Sequence, residues 1–294
     1  MWTQAVDLHS HSTHSDGQHD VAFVATTMAR QGVKIWALTD HDTTDGWQEA
    51  AVEAARLGIR FVPGIEITCE VAEPACDEEL VRHGQERPSN SWHLLGYFPT
   101  WDAASNSSRF ESFERWLRPH QSGRTPRMRA MCQRLTDLGM PVEADRVLAR
   151  ASGSVGRPHL AEEMVDLGYV ATKQEAFETW IGDGLPGFVA HQKPTIQEAV
   201  EEIHLAGGVA SLAHPKYYGV PVERLLEVLK SNGVDAVEAV HRSHSDAYRY
   251  ELLTAAESND LFITVGSDFH GTDYGQVPGH MPSIINRLLP ALRP

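Results

Sequence analysis

The feature that most constrains this chain is the alternation of short apolar runs with segments of helical periodicity. The apolar runs predict seven strands, at residues 5–11, 34–41, 60–69, 92–98, 209–214, 235–241 and 262–270. Strands that alternate with helices pair in parallel through right-handed crossovers. Polar residues gather where most of these strands end, which favours a sheet closed into a barrel over an open sheet. The sequence therefore predicts an α/β fold built on a seven-stranded (β/α) barrel.

The alternation stops in the middle of the chain. Residues 102–193 hold several helical patterns and no convincing strand, so we predict a helical insertion there. The barrel is then built from two parts, residues 1–101 and 194–294. Residues 70–91, between the third and fourth strands, are rich in acids and turn formers and predict a mobile loop or a hairpin extension.

The composition is that of an ordinary globular chain, with 294 residues, 41% hydrophobic and 22% charged. No apolar run approaches the roughly 18 residues needed to cross a bilayer, and the first residues lack a signal-peptide pattern. The three cysteines, Cys69, Cys76 and Cys132, are too few for a disulfide framework and form no Cys-x-x-Cys motif. We therefore expect a cytoplasmic protein with no membrane attachment.

The charge balance bears on the choice of substrate. The formal net charge of −15 argues against a protein that coats long nucleic acid with a basic surface. The predicted insertion nevertheless holds equal numbers of basic and acidic residues, and residues 109–134 contain seven arginines and only two acids. A small substrate is favoured, and short RNA stays possible.

Side chains that bind divalent metals recur where the predicted strands end. His9 and His11 are two apart on a strand, so both imidazoles point to the same side. His93 fits the pattern only if its strand runs antiparallel or irregularly. His241 and His244 follow strand six and are open candidates for the rim of the site. The predicted ligands are His9, His11, Asp16, His41, Glu66, His93, His214, Asp268 and His270.

Nine such ligands are too many for one ion and suit two or three ions of manganese, zinc or iron. Three divalent ions would bring six positive charges against three carboxylates, which leaves a net positive pocket inside an acidic protein. Such a pocket attracts an anion. Clustered ions also activate a hydroxide and clamp the attacking and leaving oxygens, as hydrolysis of a phosphate ester requires.

These motifs resemble the PHP (polymerase and histidinol phosphatase) superfamily of metal-dependent phosphoesterases. The resemblance implies a distorted seven-stranded barrel with three metals. It places the first metal on His9, His11, Glu66 and Asp268, the second on Glu66, His93 and His214, and the third on Asp16, His41 and His270. The matching segments are Asp7-Leu8-His9-Ser10-His11, Ser15-Asp16-Gly17, Thr39-Asp40-His41, Gly64-Ile65-Glu66, His93, Ala213-His214-Pro215 and Gly266-Ser267-Asp268-Phe269-His270.

Within the superfamily the chain looks most like stand-alone members with a helical insertion, which act on nucleoside 3′,5′-bisphosphates or trim RNA from the 5′ end. Gly156-Arg157-Pro158-His159 resembles their substrate-contacting motif. This resemblance implies that Arg157 binds a phosphate and that His159 donates a proton near the scissile bond. Lys193, at the end of the insertion, is a further candidate for substrate binding.

The favoured function is hydrolysis of a phosphate monoester of a nucleoside 3′,5′-bisphosphate, and the near alternative is a 5′-3′ exoribonuclease on short 5′-phosphorylated RNA. A third hypothesis is a histidinol-phosphate phosphatase, but the helical insertion argues against it. An amidohydrolase would need a lysine on strand four, and residues 60–102 contain none. A non-catalytic metal-stabilised scaffold would show lost ligands, and none is lost. No protein partner is predicted.

Overall fold

The computed structural model describes residues 2–3, 5–71, 91–101, 108–151, 153–190, 193–272, 277–279, 283–284, 287–288 and 290–293. The loop predicted at 70–91 lies almost wholly outside the described residues. The first half of the described chain contains β1 (Trp2–Thr3), β2 (Val6–Asp7), α1 (Val21–Arg30), β3 (Ile35–Leu38), α2 (Trp47–Leu57), β4 (Arg60–Glu70), β5 (Ser91–Tyr97), α3 (Ser108–Ser122) and α4 (Arg124–Asp137).

The second half continues with further helices and then returns to alternating strands and helices. Its elements are α5 (Ala144–Arg150), α6 (Arg157–Asp166), α7 (Lys173–Ala176), a π-helical turn (Phe177–Ile181), α8 (Ile196–Leu205), β6 (Val209–Leu212), a 3₁₀ turn (Pro215–Tyr218), α9 (Val222–Ser231), β7 (Ala236–His241), α10 (Asp246–Ser258), β8 (Phe262–Gly266), β9 (Ser283–Ile284) and a last 3₁₀ turn (Pro290–Leu292). None of the described helices is long and apolar enough to span a membrane.

Seven strands form one sheet in the order β2-β3-β4-β5-β6-β7-β8. The two edges of this sheet meet where the chain leaves β2 and β8. There the Leu8 N–H donates to the Val265 carbonyl at 2.9 Å, and the His11 N–H donates to the Phe269 carbonyl at 2.9 Å. These bonds close the sheet into a barrel, which confirms the predicted fold.

The parallel pairing predicted for the whole sheet is wrong at one strand. β5 runs antiparallel to both β4 and β6, while the other neighbouring strands of the barrel are parallel. A parallel pair needs a crossover, usually a helix, and no helical pattern separates the third and fourth predicted strands. The reversal places His93, near the start of β5, opposite Thr68 at the far end of β4. His93 therefore lies at the same end of the barrel as the other predicted ligands.

The largest apolar cluster fills the barrel and the space under its outer helices. Helix α3 joins this cluster through the buried side chains of Phe110, Phe113 and Leu117. Helices α4 to α7 build a separate cluster, whose fully buried members include Met131, Leu135, Leu160, Met164 and Ile181. In the described part of the predicted insertion every regular element is a helix, and the first helix, α3, anchors the insertion to the barrel.

Several strands are shorter than predicted at their carboxyl ends. β2 ends at Asp7, β3 at Leu38, β6 at Leu212 and β8 at Gly266, which is two to four residues before the predicted ends. The residues that follow leave the regular ladder because their backbone bends toward the end of the barrel. His214 and Asp268 lie in the left-handed backbone region, with φ of 28° and 52°. Such strained residues persist only where the surroundings hold them firmly.

Candidate metal centre

The structure brings all nine predicted ligands to one end of the barrel, around the carboxylate of Glu66. This carboxylate is 1% exposed and lies at the centre of five imidazoles. One oxygen, Oε2, lies 3.2 Å from His9 Nε2, 3.1 Å from His11 Nε2 and 3.3 Å from His41 Nδ1. The other oxygen, Oε1, lies 2.8 Å from His93 Nδ1 and 2.9 Å from His214 Nε2. Glu66 is thus placed to bridge two cations.

Two more carboxylates complete the cluster. Asp268 Oδ1 lies 3.4 Å from His9 Nε2, 3.3 Å from His11 Nε2 and 3.3 Å from His270 Nδ1. Asp16 Oδ1 lies 3.3 Å from His270 Nε2. Each carboxylate is therefore shared between imidazoles that come from different strands.

Three groups of these side chains bring their donor atoms within 4.8 Å of one another. One group matches the first predicted metal, and a second holds the residues predicted for the third metal together with His11. The last group contains His41 with Glu66 and His93, whereas the resemblance implied His214 in that place. His214 contacts the same Glu66 oxygen as His93. The groups are His9, His11, Glu66 and Asp268, then His11, Asp16, His41 and His270, then His41, Glu66 and His93.

The donor atoms of this cluster fit divalent cations. Within the described parts of the chain, His11 Nε2, His41 Nδ1 and Asp16 Oδ1 are buried and have no hydrogen-bond partner. Buried polar atoms are normally paired, so such a group of unpaired donors and acceptors needs an explanation. Mixed imidazole and carboxylate ligands suit zinc, manganese or iron. Cations bound in this cluster would satisfy these atoms.

The electrostatics of the cluster point the same way. Burial lowers the pKa of His41 to about 3, so this imidazole stays neutral, as a metal ligand must. Burial opposes the ionisation of Glu66, but the ring of surrounding histidines holds its pKa well below its usual range. Burial also opposes protonation of His11, yet the neighbouring carboxylates of Asp268 and Glu66 raise its pKa to about 10. The buried carboxylates therefore draw positive charge into the site, and divalent cations would supply it.

Glu238 is a buried carboxylate that the sequence did not single out. It lies on β7 and is fully buried. Its Oε1 lies 3.0 Å from His9 Nδ1, and its Oε2 accepts the backbone N–H of His214 at 2.7 Å. This contact directs Nε2 of His9 toward Glu66, as carboxylates behind metal-bound histidines commonly do. The signal in the sequence was a lone carboxylate in the otherwise apolar run Ala236-Val237-Glu238-Ala239-Val240.

Gly266 leaves the space in which these groups meet. A Cβ at this position would lie 2.2 Å from the His9 Cβ and 2.5 Å from Glu238 Oε1. No other residue fits there without moving His9 or Glu238. The glycine that precedes Asp268 is therefore required by close packing at the cluster.

Asp40 holds the loop that carries Asp16. Its two oxygens accept the Ser12 N–H and the Ser12 hydroxyl at 2.7 Å each, and the Ser15 hydroxyl at 2.6 Å. The Thr39-Asp40-His41 motif thus supplies a candidate ligand and also the anchor for the first loop.

The two open rim candidates differ in placement. His241 is buried, and its Nε2 lies 3.4 Å from Asp268 Oδ2. His244 instead bonds through Nδ1 to the Ala239 carbonyl at 3.1 Å. Of the two, only His241 contacts a predicted ligand among the described residues.

A cavity of about 270 Å³ opens above the cluster and is closed on its other side by the helical segment. Its walls include Asp16, Glu66 and His93 from the barrel. The predicted insertion, which ends at residue 193, contributes four cationic side chains and two apolar ones. They are Arg124, Arg127, Arg157 and Lys193, beside Pro158 and Phe177. The cavity thus places a cationic wall opposite the carboxylate cluster.

The predicted substrate-binding residues fall into two groups. Arg157 and Lys193 line the cavity, and Arg157 Nη1 donates to Asp183 at 2.7 Å. His159 is 8% exposed and is not among the described residues that line the cavity. Its Nδ1 accepts the Gly156 N–H at 3.0 Å and so caps the start of α6. Its predicted role as a proton donor stays a prediction and requires the ring to turn toward the cavity.

Comparison with known proteins gives consistent relatives. Residues 7–120 match the PHP domain family. A 5′-3′ exoribonuclease from Haemophilus influenzae is 31% identical over 276 residues, which cover 91% of this chain and 90% of that protein. A 3′,5′-nucleoside bisphosphate phosphatase from Chromobacterium violaceum is 31% identical over 277 residues, which cover 92% of this chain and 88% of that protein.

Solved structures agree with this fold. A protein from Chromobacterium violaceum, named an amidohydrolase and determined with bound sulfate and no metal, superposes with a TM-score of 0.80 at 30% identity, over 99% of this chain and 94% of its own. A structure assigned as a metal-dependent phosphoesterase, from Bifidobacterium adolescentis, gives a TM-score of 0.76 at 27% identity over 96% of both chains. The shared motifs, the barrel and relatives that match along nine tenths of the chain lead to one conclusion: this chain belongs to the PHP domain family and is a metal-dependent phosphoric ester hydrolase.

Proposed function

We propose that this protein removes a phosphate from a nucleoside 3′,5′-bisphosphate, with the scissile phosphate at the metal centre and the second phosphate on the cationic wall. The observation that carries the proposal is the cavity, which joins the candidate metal ligands to Arg124, Arg127, Arg157 and Lys193. A monophosphate would leave this second set of charges without a phosphate to bind.

The positive charges of the wall are crowded. Burial, together with the charges of Arg157 and Arg124, lowers the pKa of Arg127 to about 10. Burial also lowers the pKa of Lys193, with Arg157 and Arg127 adding to the effect. Among the described residues, carboxylates pair with two of these cations, Asp42 with Arg124 and Asp183 with Arg157. A wall with this excess of positive charge binds an anion strongly.

We propose that the nine predicted ligands bind three divalent ions, of manganese, zinc or iron. Bound ions would lower the pKa of a coordinated water and neutralise charge that develops on the phosphate oxygens. Glu66 and Asp268 hold the imidazoles of different strands in one cluster, and Glu238 fixes the orientation of His9. The chain thus supplies a rigid frame of ligands.

On the opposite side, Arg157 orients the substrate. Its guanidinium has five N–H donors, and the contacts with Asp183 and the Ile181 carbonyl use Nη1. The remaining donors can bind two phosphate oxygens side by side. Lys193 adds a point charge. Attack of water on phosphorus breaks the bond to the leaving oxygen, which then needs a proton, and His159 is the candidate donor.

A second candidate function is 5′-3′ exoribonuclease activity on short 5′-phosphorylated RNA. The Haemophilus influenzae relative carries this name and matches this chain as closely as the bisphosphate phosphatase does. Both activities place a 5′-phosphate on the cationic wall and cleave the bond to the 3′ oxygen.

The test is a substrate panel with Mn²⁺ and with a chelator. It contains adenosine 3′,5′-bisphosphate, AMP, histidinol phosphate and a 5′-phosphorylated oligoribonucleotide. We expect the bisphosphate to have the highest kcat/KM, and the chelator to abolish turnover. Equal turnover of all substrates would contradict the role of the cationic wall, and a preference for histidinol phosphate would replace the proposed substrate.

A variant makes the test specific. Arg157→Gln should lower kcat/KM for the bisphosphate about 10- to 100-fold, because hydrogen bonds between charged groups contribute about 1.5–3 kcal/mol. The kcat/KM for a phosphomonoester without a second phosphate should stay nearly unchanged. Arg129→Gln is the matched control, since Arg129 lies on α4 and pairs with Asp145 at 2.8 Å rather than lining the cavity. A loss that is equal for both substrates would refute this assignment of Arg157.

A further inference from the structure

A second groove lies beside the cavity. It has a volume of about 740 Å³ and is bounded by the end of α3, the start of α4 and residues 153–155. Its charged side chains are three arginines, Arg115, Arg118 and Arg124, and one carboxylate, Asp45. The groove therefore carries net positive charge, in a protein whose formal net charge is −15.

Arg115 and Arg118 present their charges to this groove from one side of α3. They are three residues apart and both exposed, whereas Phe113 and Leu117 on the other side of the helix are buried against the barrel. Across the described part of the chain, neither arginine takes part in an ion pair with an acidic side chain. Two arginines without acidic partners on one helix face form a surface that suits a ligand with several negative charges along its length.

The groove adjoins the cavity above the metal centre. Arg124 lines both of them. Val155 lines the groove, and Gly156, the next residue in the chain, lines the cavity. A strand that starts at the metal centre and continues past Arg124 would therefore reach the groove.

The chemistry of the two candidate substrates gives this groove a purpose. In a nucleoside 3′,5′-bisphosphate, the phosphorus that is attacked is esterified only to the 3′ oxygen. In RNA, the same phosphorus also carries the 5′ oxygen of the next nucleotide. Water attacks phosphorus in both cases, the bond to the 3′ oxygen breaks, and that oxygen gains a proton. The phosphate then leaves as inorganic phosphate or as the new 5′-phosphate of the shortened strand.

We propose that the groove binds the backbone phosphates of a single-stranded oligonucleotide downstream of the scissile linkage, with Arg115 and Arg118 as the phosphate contacts. This proposal rests on the proposed function, because it takes the scissile phosphate to be at the metal centre. On this proposal, a mononucleotide bisphosphate binds in the cavity and needs no contact with α3. The groove therefore determines whether the same centre also accepts a strand.

The test compares two substrates in one double variant, Arg115→Gln with Arg118→Gln. The kcat/KM for a 5′-phosphorylated oligoribonucleotide should fall about tenfold or more, and its dependence on salt should become shallower by about 0.7 in the logarithmic slope for each lost phosphate contact. The kcat/KM for adenosine 3′,5′-bisphosphate should stay within about twofold. Fluorescence anisotropy of a labelled strand whose linkages resist hydrolysis, measured with Mn²⁺ present, gives the dissociation constant without turnover. This constant should rise by the same factor.

Arg109→Gln is the matched control, because Arg109 is exposed on the same helix and does not line the groove. This variant should leave kcat/KM for both substrates unchanged. Unchanged oligoribonucleotide binding in the double variant, or an equal loss for both substrates, would overturn the proposal. Failure of the wild-type protein to bind the strand would also overturn it, even if the bisphosphate is hydrolysed. Failure to hydrolyse the bisphosphate and the strand alike, with phosphomonoesterase activity kept, would instead refute the proposed function. A 5′-phosphorylated oligodeoxynucleotide of the same sequence shows whether the groove distinguishes ribose from deoxyribose.

Discussion

The substitution Glu238→Gln tests whether a residue outside the predicted ligand set controls the metal centre. Glu238 accepts two hydrogen bonds with its two oxygens, one from the His9 ring at 3.0 Å and one from the His214 N–H at 2.7 Å. A glutamine has the same shape but only one accepting oxygen. Whichever way the amide turns, one N–H is left facing an NH₂ group.

Both orientations of this glutamine weaken the centre. If the amide oxygen faces His214, the NH₂ group donates to His9 Nδ1, which moves the ring proton to Nε2, the atom that faces Glu66. If the oxygen faces His9, the backbone N–H of His214 loses its acceptor. This bond matters because φ of 28° makes the His214 backbone strained, so the surroundings must hold it in place. A hydrogen bond to a charged group is worth about 1.5–3 kcal/mol. The affinity for the metal should therefore fall about 10- to 100-fold, the range typical of groups behind metal ligands.

The assay is competition between the protein and a calibrated chelator for Mn²⁺, with metal content after dialysis as a second readout. Activity should fall in proportion and recover at excess Mn²⁺. Glu163→Gln is the matched control, because Glu163 is equally buried in α6 and pairs with Arg146 and Arg150, outside the metal cluster. Both variants should unfold at lower temperature than the wild type. Equal metal affinity in the two variants would refute the reasoning and leave Glu238 with a structural role only.

Two further predictions concern the stability of the centre. Gly266→Ala should lower the free energy of unfolding by about 3 kcal/mol and also abolish metal binding, because the new Cβ would lie 2.2 Å from the His9 Cβ. Thermal unfolding measures the first effect, and metal content measures the second. Gly168→Ala is the control, because φ is +73° there and no atom lies within 4 Å of the new Cβ; it should lower the stability and leave metal binding unchanged. Retained metal in Gly266→Ala would contradict the packing argument. Removing the metals should lower Tm by about 5–10 °C, since one ion at a hundred times its Kd stabilises by about 2.7 kcal/mol. Scanning fluorimetry in chelator and after adding Mn²⁺ back would show this, whereas a Tm that does not respond to the metal would count against cations in the cluster.

The barrel and the convergence of the predicted ligands followed from local patterns. Period-two alternation directs His9 and His11 to one side, and the ends of parallel strands meet at one face of a barrel. These rules act within a strand or between adjacent strands, so a single sequence suffices to apply them. The barrel fold was therefore predictable from the sequence, and Glu66 could be placed among the histidines before the structure.

The rest depends on contacts between distant parts of the chain. Glu238 and His9 are 229 residues apart, and no local period connects them. The direction of β5 follows from the connection before it rather than from the strand itself. Arg124 is one of seven arginines within residues 109–134, and only its ion pair with Asp42 in the folded chain distinguishes it from the others.

The barrel and the helical insertion have different roles in the proposed function: the barrel holds the reacting phosphate, and the insertion selects the substrate. The cluster around Glu66 is built from barrel strands and would serve either ester, since monoester and diester hydrolysis break the same bond to the 3′ oxygen. Selection must therefore come from what surrounds that phosphorus. The helical segment supplies both surroundings, the cationic wall at Arg157 and the groove along α3. Relatives named for a phosphatase and for an exoribonuclease both match nine tenths of this chain. On the proposed function, a change in the groove alone should shift the balance between the two candidate activities and leave the metal centre unchanged.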